Sequence, residues 1–307
     1  MRACIDIGGT KVAVSLNDGK GPQLLARRSE APAITGANDA LARQVLRMVD
    51  AACAEIGIAP AEVRAAGVAS CGPFVLRAGQ VELAAPNLCG GLAGPARGLP
   101  NDWMTAVLEA PLRAHFDWLR VENDGIAALE AERRWGALQG LDHCAYLTWS
   151  TGIGVGLCVD GRPLRGKNGN AGHGGHMFVS DNNDALCGCG NLGDVEGLVS
   201  GNAIARRFGA PAAELLERAE SGEAEATAIV DELCRVLGRA IYNLVVVLDL
   251  QRVCVGGGVF LHHGDFLLPR LQAQLTGKLP ALTQGCALVP AGLGSRLGDY
   301  AALALLD

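Results

Sequence analysis

A short segment near the start of the chain, Asp6-Ile-Gly-Gly-Thr-Lys11, combines a carboxylate, two glycines and a hydroxyl group. With no side chains in the way, the N–H groups of Gly8 and Gly9 could approach phosphate oxygens closely, and Thr10 adds a hydroxyl donor. Asp6 could hold Mg²⁺ through water. The same residues would suit an ordinary hairpin turn equally well, since Gly-Gly turns are common.

A second segment of this kind, Ser150-Thr-Gly-Ile-Gly154, lies in the middle of the chain. Phosphoryl transfer needs donors on both the β- and γ-phosphates, so two such loops are more informative than one. The sequence lacks Gly-x4-Gly-Lys-Ser/Thr, which excludes the P-loop mechanism. Gly188-x-Gly-x-x-Gly193 formally matches the dinucleotide-binding pattern, but it overlaps Cys189 and follows no suitable strand, so we expect no dinucleotide there.

Asn123 and Asp124 stand where a predicted strand, 118–121, passes into a predicted helix, 125–136. A carboxylate at this position could accept a proton from a hydroxyl group that attacks a phosphate, while Asn123 donates to a neighbouring hydroxyl. Asp and Asn are also common helix caps, and one residue can do both. The pattern alone favours the plain cap.

A group of potential metal ligands follows, comprising His176, Cys187 and Cys189, with Asp194 shortly after. The two cysteines lie in a polar, glycine-rich stretch. Imidazole nitrogen and thiolate sulfur suit a structural Zn²⁺, and a carboxylate can ligate zinc at about 2.0–2.2 Å. The alternative is a degenerate site that binds no metal.

The composition is rich in apolar residues for a soluble protein, but the excess lies in Ala, Val and Leu spread evenly along the chain. The chain has 307 residues, of which 50% are hydrophobic, with a mean hydropathy of +0.23 and a net charge of −6. No apolar run approaches the roughly 18 residues of a membrane span, and we expect no signal peptide ahead of the first strand. The charge argues weakly against nucleic acid. Most cysteines, including Cys4, Cys144, Cys158 and Cys254, lie in apolar runs and are expected to be buried thiols in a reducing compartment.

Alternating strand and helix periodicities predict an α/β protein. A strand–glycine turn–strand pattern occurs at residues 2–16 and again at 144–159, which indicates two related halves facing each other across a cleft. Further strands are expected at 23–28, 65–70 and 252–255. Helices are expected at 39–56, 102–115, 125–136 and 223–248, and 90–100 is expected to be a loop.

Together and in this order, the motifs resemble the ROK family of sugar kinases and sugar-responsive repressors, from Asp6 to Asp299. The resemblance implies an α/β fold of the actin-like ATPase (ribonuclease H-like) class, with two lobes and a central cleft. One lobe would comprise residues 1–117, with a C-terminal helix at 295–307 packing back on it, and the other residues 118–294. The resemblance also implies a cytoplasmic homodimer, acting on a small-molecule sugar with ATP and Mg²⁺, and a structural Zn²⁺.

The resemblance assigns roles residue by residue. Asp124 would be the general base. The sugar would be oriented by Asn87, Asn123, Asp124, His173, His176 and Glu196. ATP and Mg²⁺ would be bound by Asp6, Gly8, Gly9, Thr10, Lys11, Ser150, Thr151, Gly152 and Gly154, with Gly256 and Gly257 on the adenosine side. Zinc would be bound by His176, Cys187 and Cys189, and the family's third cysteine is replaced by Asp194, so a weaker, mixed site is expected.

His173 departs from the pattern of most ROK kinases, which have a glutamate there. The His-x-Gly-His form is similar to that of the N-acetylmannosamine kinase branch of the family. Imidazole offers one donor and one acceptor where carboxylate offers only acceptors, so the sugar hydroxyls would be recognised differently. We therefore expect phosphorylation at O6 of N-acetylmannosamine first, with glucose and N-acetylglucosamine as alternatives. Drift at position 173 without a change of substrate is the other interpretation.

Three rival functions stay open at this point. Family repressors carry a DNA-binding segment before the first strand, whereas this sequence begins at that strand and is acidic, so we expect no nucleic-acid or membrane partner. A non-catalytic sugar-binding protein would account for the changes at His173 and Asp194. A kinase using polyphosphate instead of ATP is the third.

Overall fold

Strands and helices alternate along the chain in the order that its apolar periodicities favour. The structure, a computed structural model, describes residues 1–91, 98–180 and 185–306. The strands are β1 Arg2–Ile7, β2 Val12–Asn17, β3 Leu25–Glu30, β4 Ala65–Ser70, β5 Phe74–Arg77, β6 Gln80–Leu83, β7 Ala106–Val107, β8 Trp118–Asn123, β9 Cys144–Trp149, β10 Ile153–Val159, β11 Arg162–Pro163, β12 Arg252–Gly256 and β13 Ala287–Pro290. The helices are α1 Ala40–Ile56, α2 Glu109–Arg113, α3 Asp124–Trp135, α4 Val195–Val199, α5 Gly201–Phe208, α6 Ala212–Glu220, α7 Ala224–Leu248, α8 Gly264–Ala273, α9 Pro280–Thr283 and α10 Leu297–Ala304.

The first of two compact units comprises Met1–Ala131, Arg165–Ala171 and Arg296–Asp307. Its main sheet has the strand order β3-β2-β1-β4-β8. β1, β2 and β3 are antiparallel neighbours, whereas β4 and β8 run parallel to β1. A parallel pair needs a crossover connection, which α1 provides between β3 and β4. α1 and α10 pack on this sheet and close its core.

The second unit comprises Glu132–Leu164 and Gly172–Ser295, and it repeats this topology. Its sheet has the order β11-β10-β9-β12-β13, again with an antiparallel half and a parallel half. The long helix α7 precedes β12 as the crossover, and its apolar face contributes Leu237 and Ile241 to the core beside Leu147 and Val155. The repeated strand–turn–strand pattern of the sequence therefore corresponds to a repeated sheet.

The expected helix at 102–115 is wrong. Only Glu109–Arg113 is helical, and Ala106–Val107 pairs with β6 as a strand instead. Pro111 gives the reason, because proline has no N–H to donate and clashes with the preceding turn, so it is strongly favoured in the first turn over the interior of a helix. A helix that begins at Glu109 meets this condition. The other expected strands and helices begin and end within two residues of those in the structure, except that α10 ends at Ala304 and not at residue 307. Residues 92–97 of the expected loop lie outside the described residues.

The contacts divide the chain differently from the boundary expected after residue 117. β8 is hydrogen-bonded to β4 in parallel register, so it belongs to the first sheet, and the first unit continues to Ala131. α10 packs on β1 and β4 within the same unit. The division into lobes that move on substrate binding stays a prediction.

The strand cysteines Cys4, Cys144, Cys158 and Cys254 are buried, as predicted, and no disulfide forms among the described residues. Across those same residues, no helix combines the length and the apolar character that crossing a membrane requires.

Gly67, on β4, makes close contact with α10. A Cβ atom there would collide with the Ala302 carbonyl group and lie 3.1 Å from Leu306 Cγ. We expect Gly67→Ala to lower the free energy of unfolding by about 1–3 kcal/mol, because the helix would have to move off the sheet. Urea unfolding followed by circular dichroism measures the change. Gly21→Ala, with no described atom within 4 Å of the added Cβ, is the control, and equal stability of the two variants would contradict this packing.

Candidate functional site

Asp124 stands at the junction of β8 and α3, at the carboxyl end of a parallel strand. The Gly125 N–H donates to Asn123 Oδ1 at 3.0 Å and to Asp124 Oδ1 at 2.8 Å. Asp124 is accessible to solvent, yet protein atoms surround its carboxylate closely. This desolvation raises the pKa of Asp124 to about 6, against the lowering effect of the Gly125 and Asn123 hydrogen bonds. The geometry suits a helix cap and a proton acceptor alike.

Asp6 lies at the carboxyl end of β1, at the same edge of the sheet. The parallel registers place it level with Glu122, two residues before Asp124. Burial and, next, the charge of Asp124 raise the pKa of Asp6 to about 7, although Lys11 lowers it. A buried carboxylate whose charge is disfavoured by a neighbouring carboxylate suits a divalent cation, which would stabilise its ionised form.

The turn between β1 and β2 lies against Asn87. The Gly8 N–H donates to the Lys11 carbonyl oxygen at 2.8 Å and closes the turn. A Cβ atom on Gly9 would lie 2.7 Å from Asn87 Nδ2, so a side chain there would displace the amide. The first unit therefore places Asn87 beside the predicted phosphate-binding turn.

The loop at 150–154, which joins β9 to β10 and includes the first two residues of β10, is attached to the start of α5. The Gly201 N–H donates to the Ser150 carbonyl oxygen at 2.8 Å, and the Asn202 N–H to that of Thr151 at 3.3 Å. These bonds fix carbonyl groups of the loop on the helix. A loop held in this way can present N–H groups to an anion on its other side.

The glycine turn after β12 lies beside the end of β9. A Cβ atom on Gly257 would lie 2.6 Å from Thr148 Oγ1, and the Val259 N–H donates to the Trp149 carbonyl oxygen at 2.9 Å. A cavity of 230 Å³ opens at this turn, and Gly256 and Asp265 are among the residues that line it. The segments assigned to phosphate and adenosine therefore lie next to each other in the second unit.

Glu196, in the first turn of α4, contacts the loop at 150–154. Its Oε2 accepts a hydrogen bond from the Ile153 N–H at 3.0 Å. A Cβ atom on Gly152 would lie 2.7 Å from the same oxygen, so glycine permits this approach. The other carboxylate oxygen, Oε1, is 3.6 Å from Cys187 Sγ. Glu196 thus joins the predicted phosphate-binding loop to the cluster of metal ligands.

Four potential metal ligands converge at the amino end of α4. One atom from each of His176, Cys187, Cys189 and Asp194 lies within 4.8 Å of the others. His176 Nδ1 is 3.2 Å from Asp194 Oδ2 and 3.7 Å from Cys187 Sγ, and Cys189 Sγ is 3.6 Å from Asp194 Oδ2. Tetrahedral zinc, with bonds of about 2.0–2.3 Å, separates its ligand atoms by about 3.3–3.7 Å. The residues therefore fit a zinc ion with Asp194 as the fourth ligand.

Protons compete with a cation at this cluster. The hydrogen bond that His176 donates to the Asp194 carboxylate raises the pKa of His176. Burial acts to raise the pKa of Asp194, but hydrogen bonds from His176 and the Gly197 N–H hold it below its ordinary value. Burial also raises the pKa of Cys187. Metal binding would displace these protons, so metal affinity should increase with pH.

His173 lies immediately before the turn Gly174–His176, next to His176. The two ring centroids are 6.1 Å apart, and the ring planes are inclined by 30°. A Cβ atom on Gly174 would lie 2.8 Å from Val155 Cγ2, so glycine allows this turn to pack on β10. Both histidines and Glu196 therefore lie around β10 in the second unit.

Two features of the site were missed from the sequence. Asp194 Oδ1 accepts a hydrogen bond from the Gly197 N–H at 2.7 Å and so caps α4, for which an Asp just before a short apolar stretch was the available signal. Cys71, directly after β4, lies near both carboxylates of the first unit. Burial and the charges of Asp124 and Asp6 raise the pKa of its thiol well above the usual range.

The fold and the site define an α/β protein of the actin-like ATPase class, and comparison with known proteins gives the family. The sequence profile of the ROK family matches residues 2–306. An N-acetylmannosamine kinase from Shigella boydii is 33% identical over 275 residues, which cover 86% of this chain and 85% of that protein. The chain belongs to the ROK family.

Solved structures of ROK family sugar kinases are similar in fold to this chain. A ROK family glucokinase from Streptomyces griseus, in complex with glucose and AMPPNP, has a TM-score of 0.73 at 26% identity and covers 99% of both chains. A ROK hexokinase from Thermus thermophilus has a TM-score of 0.70 at 28% identity, covering 99% of this chain and 97% of its own. The expected fold class is confirmed.

We expect the purified protein to retain one zinc ion per chain, because the four ligand atoms already lie within 4.8 Å of one another, close to the spacing of a tetrahedral site. Cys187→Ala should lose the metal on dialysis, whereas Cys286→Ala, a buried cysteine far along the chain from the cluster, should keep it. Inductively coupled plasma mass spectrometry measures the content. A zinc-free wild-type protein after incubation with Zn²⁺ and reductant would show that the cluster is not a metal site.

Proposed function

We propose that this chain, an ATP-dependent sugar kinase of the ROK family, phosphorylates O6 of an N-acylhexosamine, with N-acetylmannosamine as the first candidate. Glucose and N-acetylglucosamine are the alternatives. The observation that carries the proposal is Asp124, a solvent-accessible carboxylate at the end of a parallel strand, with its pKa raised to about 6. The relative named N-acetylmannosamine kinase, 33% identical, supports the substrate.

Asp124 would act as the general base. Its carboxylate takes the proton of the sugar O6 hydroxyl as this oxygen attacks the γ-phosphorus of ATP. The O6–P bond forms, the bond from the γ-phosphorus to the bridging oxygen breaks, and ADP leaves. A pKa near 6 keeps the carboxylate ionised at neutral pH, while making it a stronger base than an ordinary aspartate.

The first unit would supply further polar groups for substrate and nucleotide. Asn87 and Asn123 orient sugar hydroxyls, and residues 8–11 contact phosphate. Asp6 would hold Mg²⁺, which when bound neutralises phosphate charge. The charge of Asp124 disfavours ionisation of Asp6, which is consistent with a cation in this place.

The second unit would bind the nucleotide and complete sugar recognition. Residues 150–154 contact phosphates, and the adenosine occupies the cavity beside Gly256 and Gly257. His173, His176 and Glu196 orient the sugar. His176 directs Nδ1 toward the metal cluster, so a bound zinc ion would fix the tautomer and orientation of the ring and leave Nε2 for a hydroxyl.

Position 173 tests the choice of sugar. We expect His173→Glu to shift the ratio of kcat/KM values for N-acetylmannosamine and glucose toward glucose by roughly tenfold, because a carboxylate cannot donate the hydrogen bond that an imidazole can. A coupled ADP-release assay over a panel of hexoses and N-acylhexosamines gives the ratio, with inorganic polyphosphate replacing ATP in a parallel arm.

His115→Glu, at an exposed histidine, is the matched control and should leave the ratio unchanged. An unaltered ratio in His173→Glu would remove the argument for N-acetylmannosamine. Turnover on no sugar, with a folded and zinc-loaded protein, would favour the non-catalytic sugar-binding alternative.

The pH profile tests the role of Asp124. We expect kcat/KM for the sugar, at saturating Mg-ATP, to be constant above about pH 7 and to fall about tenfold per pH unit below about 6, because a protonated Asp124 cannot accept the hydroxyl proton. Asp124→Asn should lower kcat by about 10²–10⁴-fold. Asp117→Asn, at an exposed ion-paired aspartate, should leave the profile intact. A flat profile down to pH 5 would exclude Asp124 as the base.

A further inference from the structure

The two carboxylate oxygens of Asp194 have different partners. Oδ2 faces the metal cluster, 3.2 Å from His176 Nδ1 and 3.6 Å from Cys189 Sγ, and it also accepts from Asn191 Nδ2 at 3.4 Å. Oδ1 accepts from the Gly197 N–H at 2.7 Å and caps α4. The side chain is fully buried. A cysteine offers one sulfur and is a weak acceptor, so it could not fill both positions.

α4 contacts both ends of the loop at 150–154. Before the loop, the buried Trp149 Nε1 donates to the Val199 carbonyl oxygen at 2.7 Å. Near the other end of the loop, at the start of β10, the Ile153 N–H donates to Glu196 Oε2 at 3.0 Å. The position of the loop therefore depends on the position of this helix.

A five-residue helix has little stability of its own, so its cap and its surroundings hold it in place. Gly197 packs against the segment that carries Cys187. A Cβ atom on Gly197 would lie 2.9 Å from the Ala185 carbonyl oxygen and 3.0 Å from the Cys187 nitrogen. Movement of the cluster would therefore move α4, and α4 would move the loop.

We propose that metal binding at the cluster and phosphate binding at the loop are coupled through α4, with Asp194 as the positioning residue. A metal held by the cluster would fix the Asp194 carboxylate, which caps α4 through Oδ1, and the helix in turn holds Trp149 and Ile153. Coupling of this kind is reciprocal, so zinc strengthens nucleotide binding and nucleotide strengthens zinc binding by the same factor. The inference rests on the proposed function in one respect, that the loop at 150–154 binds the phosphates of a nucleotide. It does not depend on which sugar is phosphorylated.

Direct binding measurements on the wild-type protein test the coupling without catalysis. ADP is titrated by isothermal calorimetry into zinc-loaded protein and into protein stripped with a chelator under reducing conditions. We expect the Kd for ADP to increase by about fivefold or more when the metal is removed, and to recover when Zn²⁺ is restored. Zinc affinity, measured by competition with a chromophoric chelator, should be tightened by ADP by the same factor.

Substitutions at Asp194 separate its two functions. Asp194→Cys supplies a metal ligand but removes the oxygen cap, so the variant should bind zinc at least as tightly as wild type, while zinc no longer changes the Kd for ADP. Asp194→Asn keeps a capping oxygen and weakens the ligand. It should fail to take up zinc at concentrations that load the wild type, and should bind ADP as stripped wild type does.

If Asp194→Cys does not fold, as judged by circular dichroism, Glu196→Ala and Glu196→Gln provide the same test. Glu196→Ala removes the contact with Ile153, so this variant should still bind zinc, but zinc should change the Kd for ADP less than in wild type. Glu196→Gln keeps an oxygen acceptor and should restore the full effect of zinc on the Kd for ADP.

A Kd for ADP that does not depend on zinc in wild type would overturn the coupling and leave the kinase assignment standing. The same holds if Asp194→Cys and Glu196→Ala both retain the full zinc effect. Failure of wild type to bind ADP, with or without zinc, would overturn both the coupling and the proposed function.

Discussion

Parallel pairing of β1, β4 and β8 is the constraint on which the chemistry of the first unit depends. Parallel strands that start in register also end at the same edge of the sheet, and the residues that follow them meet there. For this chain the edge is formed by Asp6, the next-to-last residue of β1, and by Cys71 and Asp124, which directly follow β4 and β8. Protein atoms shield the carboxylates at this edge, and the shielding raises the pKa of both. The basicity of Asp124 is therefore a consequence of its place in the sheet.

In the second unit, the equivalent edge is organised by a helix too short to be stable alone. α4 is held by the Asp194 cap at one end and by the Trp149 indole at the other. In return it holds the loop at 150–154 through Glu196. Metal cluster, short helix and glycine loop are thus one continuous set of contacts, all within the second unit.

This arrangement changes how the departure at Asp194 is understood. Judged as a ligand only, a carboxylate in the place of a thiolate suggests a weakened zinc site. Its two oxygens, however, let one side chain serve the cluster and the helix cap together. The departure is therefore compatible with a working site in which metal and helix are more directly connected.

The sequence by itself determined the α/β class, most of the strands and helices, and the family. Apolar periodicity is a local property, and the glycine, Asn-Asp and Cys-x-Cys motifs depend on residues close together in the chain. The helix predicted at 102–115 was wrong because apolar periodicity does not take account of Pro111, which limits α2 to Glu109–Arg113.

Only the tertiary structure decided which distant segments touch. That Asn87 lies against Gly9, that Glu196 accepts from Ile153, and that Cys71 lies near Asp6 and Asp124 could not be read from spacing. The physical reason is that such contacts depend on strand order and register, which are set by the packing of whole sheets and helices. A motif specifies which groups are available, and the register of the sheet decides which of them meet.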